Sequence, residues 1–281
     1  MTTTALKQFS TASRPQIRQT NIWQQSTVLV RRNLTHIKRQ PEMLMDVTIQ
    51  PVMFVLLFAF VFGGSIATQS GNYREWLLPG IMGQTMAFAS FVVALGLTND
   101  LQKGIIDRFR SLPISPAAVL VGRSLAGLLH SSIGIVVMAV TGLLIGWRIR
   151  NGIGEALLAF ALLLLFGFAM IWLGILVGSA MRSVEAVNGV MFTTMFPITF
   201  LANTFAPSER MVSWLRPIAE WNPISAFVQA LRELWGNVPG PPPGSYWPIR
   251  NAVLVSIGWS LVLTAIFAPL ALRAYRKRTT D

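Results

Sequence analysis

Residues 101–124 read LQKGIIDRFRSLPISPAAVLVGRS. The stretch carries charges, two prolines and two glycines, and the chain turns apolar on both sides of it. A bilayer core of about 30 Å needs roughly 20 apolar residues as helix. Working outward, six segments meet or approach that length: 45–63, 77–98, 118–146, 153–180, 187–203 and 252–272. The third and fourth exceed what a bilayer requires and are expected to tilt or project. The fifth contains Pro197 and is expected to bend there.

Composition agrees. Of 281 residues 53% are hydrophobic and 12% charged, about half the usual globular share of charge. Mean hydropathy is +0.55. Such a chain cannot cover a water-facing surface with polar groups. The reading is an all-α polytopic membrane protein with six transmembrane helices. Cysteine is absent, which excludes disulfides and thiolate metal sites. The net charge of +12 would suggest nucleic acid in a soluble protein, but in a membrane protein the placement of charge decides.

With the N-terminus inside, the inner segments (1–43, 99–123, 181–186, 273–281) hold 16 Lys and Arg against seven in the outer ones. That bias puts both termini in the cytoplasm of a multi-pass plasma-membrane protein. Residues 1–20 are polar, basic and without an apolar core; they are expected to be a disordered cytosolic tail rather than a signal peptide. Residues 21–281 are expected to form a single transmembrane domain.

In residues 21–39, Ile22, Leu29, Val30, Leu34 and Ile37 share one helical face. Arg31, Arg32, Lys38 and Arg39 lie away from it. This predicts an interfacial helix whose basic face meets anionic headgroups. In the long outer segment 204–251, WNPISAFVQALRELWGN carries complete helix punctuation: Asn222 as N-cap, Pro223 in the first turn and Gly236 at C′. Ile224, Phe227, Val228, Leu231 and Trp235 make its apolar stripe, so a short extracellular helix packed on or dipping into the outer leaflet is expected.

Catalytic patterns are missing: GxxxxGK[ST], HExxH and GxSxG do not occur. Of the two histidines, His36 falls in the interfacial helix and His130 inside the third span, where a neutral imidazole bonded to a neighbouring helix is the expected state. Carboxylates sit near span ends (Asp46, Asp100, Glu155, Glu185), whereas proton- or sodium-coupled pumps need them deep in the membrane. Energy for transport is therefore expected from elsewhere. Residues 100–110 mix Lys103, Asp107, Arg108 and Arg110 with Leu101, Ile105, Ile106 and Phe109 before Pro113 and Pro116 force a turn. A short helix there can serve as a lever for a partner or as a solvated connection; the residues alone leave both open.

The stretch GIIDRFRSLPISPAAVLVGR resembles the loop between the second and third spans of type-2 ABC exporter permeases, and most closely the daunorubicin-resistance branch. Gly104, Asp107, Pro113 and the Gly122–Arg123 pair stand where that family has its Gly, its acidic residue, its helix-ending Pro and its Gly-basic pair. Many members have Glu where this chain has Asp107, and a further acidic residue before the Gly; here that side carries Lys103. The Asn-Pro helix at 222–236 is similar to the family's second landmark, and the likeness spans nearly the whole chain.

The resemblance implies a non-catalytic permease subunit of an ATP-driven exporter of hydrophobic or amphiphilic drugs or metabolites. Export of lipid or lipid-linked glycan, and a membrane scaffold without transport, are the other readings. ATP and Mg would bind two copies of a separate ATPase subunit, and no cofactor would bind this chain. A second permease, identical or related, would complete the membrane part. A cytosolic coupling helix would meet the ATPase through Leu101, Lys103, Gly104, Ile106, Asp107, Arg108, Phe109, Arg110 and Pro113. The family's substrate path lies along spans one, two and five. In this chain that implies Gln84, Thr85, Phe88 and Ser90 on the second span, and Phe192, Thr193, Phe196 and Thr199 on the fifth.

Overall fold

The computed structural model describes residues 42–61, 72–104 and 115–280. The expected interfacial helix with Arg31, Arg32, Lys38 and Arg39 lies outside them, as do the N-terminal tail and residues 105–114. The described residues are helical, without strands.

The long helices are α1 (Glu42–Val61), α2 (Tyr73–Gln102), α3 (Pro116–Leu144), α4 (Ile153–Ala180), α5 (Val184–Leu201) and, last in the chain, α9 (Ala252–Thr280). Between α5 and α9 come a 3₁₀ turn (Ser208–Arg210), α6 (Leu215–Trp221), α7 (Pro223–Leu234) and α8 (Trp247–Arg250). Among the described residues, α2, α3, α4, α5 and α9 are long and apolar enough to cross a membrane. In α1 the apolar stretch is the shorter Thr48–Val61.

The boundaries follow caps rather than apolar runs. For α2, expected over 77–98, the start is set by Asn72, whose side chain accepts from the Arg74 amide. Its end is set by Gly104, in the left-handed region at φ 64°. Asp100–Gln102 therefore belong to α2 and not to a separate coupling helix. Ser115 caps α3 at the Ala118 amide, with Pro116 in the first turn. Ser183 caps α5 at the Ala186 amide, and the helix runs through Pro197. The last span outruns its apolar stretch and carries Arg273, Arg276, Lys277 and Arg278 in its final turns.

Association of helices in lipid rests on close packing, since lipid tails are as apolar as leucine. The tightest seam joins α2 and α4. A Cβ on Gly174 would stand 2.1 Å from the Ser90 carbonyl oxygen, and one on Gly178 would stand 2.7 Å from that of Ala94. Thr98 Oγ1 donates to the Gly178 carbonyl across the same seam. The buried core runs along it through Met86, Ala94, Phe166 and Met170. A second cluster, with Val93 and Leu97 of α2, Ile171 and Ile175 of α4, and Ala271 and Tyr275 of α9, joins α9 to the same pair of helices.

The helix after Asn222 forms as its punctuation predicts. Asn222 accepts from the Ile224 amide at 2.9 Å and Gly236 has φ 70°. All five residues of its stripe are buried. The helix does more than rest on a leaflet. It packs among α2, α4 and α9, with Phe227 stacked on Phe166 at 4.1 Å. Phe227 and Val228 also lie over Gly83, ten residues into α2 and thus about 15 Å from its start.

The C-terminal end of α7 is tied down. Near its C-terminus Arg150 donates its amide to the Trp235 carbonyl and makes a two-point ion pair with Glu75. That pairing raises the Arg150 pKa. Asn151 donates to the Glu233 carbonyl, and Asn237 accepts from the Trp147 indole. In the last turn, Arg232 is fully buried: it donates to the carbonyls of Trp76, Asn203 and Thr204 and lies 3.5 Å over the Trp76 ring. The short α6 carries no strong sequence signal; buried Glu220 holds it by accepting from Ser208, Arg216 and the Tyr246 amide.

The α2–α4 seam generates a testable expectation. Gly174→Ala forces a methyl into backbone that cannot swing aside and destabilises the protein by about 1–3 kcal/mol. The effect would be read as a lowered melting temperature in detergent. Gly258→Ala, which meets nothing within 4 Å, leaves the melting temperature unchanged or raises it.

Candidate functional site

A cavity of about 410 Å³ opens between α1, α2 and α5, with Ser131 of α3 at its back. Three helices contribute to it because of how α2 is shared. One side of α2 (Ala87, Ser90, Ala94) is pressed on α4 and α5, and the other side is left to line a space. The alternation places Gln84, Thr85, Phe88, Phe91 and Val92 there. From α5, spacing of four residues brings Phe192, Phe196 and Phe200 to one face. The same face meets α2 edge-on, Phe91 against Phe192 at 5.1 Å and Phe88 against Phe196 at 6.4 Å. From α1 come Gln50, Pro51 and Phe54.

The lining is uncharged. Six phenylalanines supply π-faces, and Gln50, Gln84, Thr85 and Ser131 supply the polar groups. Thr85 already donates to the Ile81 carbonyl, which leaves its oxygen lone pairs to accept. A mostly apolar wall with a few polar groups suits an amphiphile of drug size.

Of the path residues read from the sequence, Gln84, Thr85, Phe88, Phe192 and Phe196 meet at this cavity. Thr193 does not: it is exposed on another face of α5. Ser90 and Thr199 are buried and donate to carbonyls of their own helices, at Ala87 and Met195. Those two hydroxyls serve helix packing. Phe54, Phe91 and Phe200 were missed, although recurrence of Phe every four residues at 192, 196 and 200 is visible in the sequence. The contribution of α1 carried no comparable mark. His130 is buried on α3 beside Ser131.

Opposite the end that bears residues 202–251 lies the root of the charged connection. Lys103 follows the last turn of α2, its amide bonded to the Asn99 carbonyl, and Gly104 donates to the Leu101 carbonyl. Lys103 is exposed, and Leu101 and Gly104 are half-buried. Ile106, Asp107, Arg108, Phe109, Arg110 and Pro113 lie outside the described residues. The root is firmly tied. Asp100 pairs with Arg123 of α3, and Gln102 donates to the Arg182 carbonyl between α4 and α5. Arg278 of α9 donates to the carbonyls of Gly178, Ser179 and Met181, a cation at the C-terminal end of α4. Among the described residues there is no cluster of His and carboxylates suited to a metal.

Comparison with known proteins agrees with this arrangement. The model of the ABC-2 type transporter family matches residues 24–235. The daunorubicin resistance ABC transporter permease protein DrrB1 of Streptomyces coeruleorubidus is 32% identical over 86% of this chain and 82% of its own length. The doxorubicin resistance ABC transporter permease protein DrrB of Mycobacterium tuberculosis (strain ATCC 25618 / H37Rv) is 26% identical over 79% of this chain and 80% of its own. A putative transport permease, ycf38, of Cyanophora paradoxa is 24% identical over 90% and 88%. A helical bundle with a shared wall helix, and a family match covering most of its length, place this chain in the ABC-2 type transporter family.

Proposed function

We propose that this chain is the permease subunit of an exporter that moves hydrophobic or amphiphilic aromatic compounds out of the cell, driven by ATP hydrolysed on a separate subunit. The observation that carries the reading is the continuity of α2. One unbroken helix runs from the charged connection at residue 104 to the phenylalanine-lined wall between Gln84 and Leu95. A force applied at its end tilts or rotates the wall with no hinge to absorb it.

In this reading residues 101–113 are the handle. Two ATPase subunits close on ATP and push there, at the cytosolic face, through Asp107, Phe109 and their neighbours. Two permease chains, identical or related, face each other across the side left open by exposed Phe192, Phe196 and Phe200. Both termini are cytosolic. The names of the relatives, which refer to daunorubicin and doxorubicin resistance, agree with a drug-like aromatic cargo. The uncharged, phenylalanine-rich lining favours such a cargo over a glycan, whose hydroxyls would find few partners on it.

Three outcomes test the proposal. Phe196→Ala raises the substrate concentration for half-maximal efflux about fivefold, the equivalent of ~1 kcal/mol of lost aromatic contact. Thr193→Ala, off the cavity, leaves it unchanged; equal effects of the two would dissociate the cavity from transport. The purified chain hydrolyses no ATP. With its ATPase partner, Asp107→Lys lowers substrate-stimulated hydrolysis while insertion, read by protease protection of tags at residues 1 and 281 in intact cells, is preserved.

A further inference from the structure

Two walls of the cavity converge toward the end that bears residues 202–251, and a single ring sits where they meet. On α1, Phe54 lines the cavity and Phe58, one turn further along, stacks on it at 5.9 Å. On α5, Phe196 lines the cavity and Phe200 stacks on it at 4.8 Å. Phe205 bridges these two ladders. Its ring stacks on Phe58 at 4.7 Å and lies 5.3 Å from Phe200. It belongs to neither helix, since α5 ends at Leu201 and the chain then makes a turn.

That turn is held by side chains from other elements. Arg232 of α7 donates through Nη2 to the carbonyls of Asn203 and Thr204, at 2.9 and 3.3 Å. The Tyr73 hydroxyl of α2 donates to the Phe205 carbonyl at 3.0 Å. Ser225 accepts from the Asn203 amide at 3.0 Å. Three successive carbonyls are thus gripped from outside the turn, and the grip fixes where the Phe205 ring stands. The grip is also incomplete. Arg232 Nη1, Asn203 Oδ1 and Thr204 Oγ1 are buried without a hydrogen-bond partner in the protein. Leaving such groups unpaired carries a cost, so admitting water to the turn offsets part of the work of releasing it.

We propose that Phe205 is the gate closing the phenylalanine-lined cavity toward the 202–251 end, and that Arg232 and Tyr73 are the positioning residues that hold it shut. The inference rests on the proposed function for what passes the gate, but not for whether the gate exists. Tyr73 stands at the far end of α2, beyond Pro79, so a shift of that end relative to the turn takes the donor from the Phe205 carbonyl.

The natural absence of cysteine gives a direct test. Thr85→Cys introduces one thiol on the cavity wall. The transporter, with its ATPase subunit and without substrate, is placed in sealed vesicles of both orientations and treated with a charged, membrane-impermeant thiol reagent. With Phe205 intact the thiol reacts slowly from the 202–251 side. Adding Phe205→Ala speeds modification from that side by about tenfold, as expected when a state held to a few per cent becomes dominant. Phe205→Trp retains slow modification. Tyr73→Phe, which removes one oxygen and leaves the packing, speeds it by a smaller factor and serves should Phe205→Ala fold poorly. Equal rates with and without the Phe205 ring, or fast modification with the ring in place, overturn the gate. Labelling needs no cargo, so a responsive thiol with unaltered aromatic efflux would remove the cargo assignment and leave the gate standing.

Discussion

Backbone pressed on backbone at Gly174 and Gly178 is the constraint on which the rest of the bundle depends. It brings α4 closer to α2 than any side chain would permit, and in lipid such proximity is a principal source of attraction. Because one side of α2 is spent on that contact, the other side must face outward, and it becomes the cavity wall. The second core cluster, which includes residues of α2, then fastens α9 to α4. α4 is therefore a fixed post that holds both α2 and α9. The helices that complete the cavity, α1 and α5, are more loosely attached and expose more of their apolar surface. A rigid half and a yielding half suit a protein that must change the shape of one space without coming apart.

Polar groups inside the bundle follow from the absence of water there. Arg232 is tolerated because three carbonyls and an indole face surround its charge. The Asn203 and Thr204 carbonyls lie just past the end of α5, where backbone acceptors are left over. The arginine thus satisfies what the end of α5 leaves open, and α7 gains an anchor. Arg278 does the same for the C-terminal end of α4 at the opposite end of the molecule. Hydroxyls within spans mostly spend their donor on their own helix, as Ser256, Ser260 and Thr264 do in sequence along α9.

Much of this was legible in the sequence. Hydropathy located the long helices because a lipid-facing segment must be apolar along its whole length. Caps such as Asn222, Pro223 and Gly236 marked α7 because helix ends impose specific chemistry. What could not be read were contacts between distant segments. Nothing near Arg232 in the chain shows that it would be buried rather than exposed beside Glu233. Nothing near Thr193 shows that it would miss a cavity its neighbour Phe192 lines. The hydroxyls of Ser90 and Thr199 looked like path residues and turned out to serve their own backbone. The depth of α7 was also hidden, because an amphipathic stripe does not distinguish a leaflet surface from a bundle interior.

The buried position of α7 changes what the connection 202–251 is. Measured along the chain it resembles an extracellular loop, and loops are where fusion partners, epitope tags and swapped segments are usually inserted. Here most of it is core that enters from one side. Exchanging it with the corresponding stretch of a relative would transplant part of the bundle's interior along with its surface. Within this region the exposed run of prolines and glycines at 239–244 is the natural place to add foreign sequence. A chimera joined there would keep both the anchored helix and the final span in register.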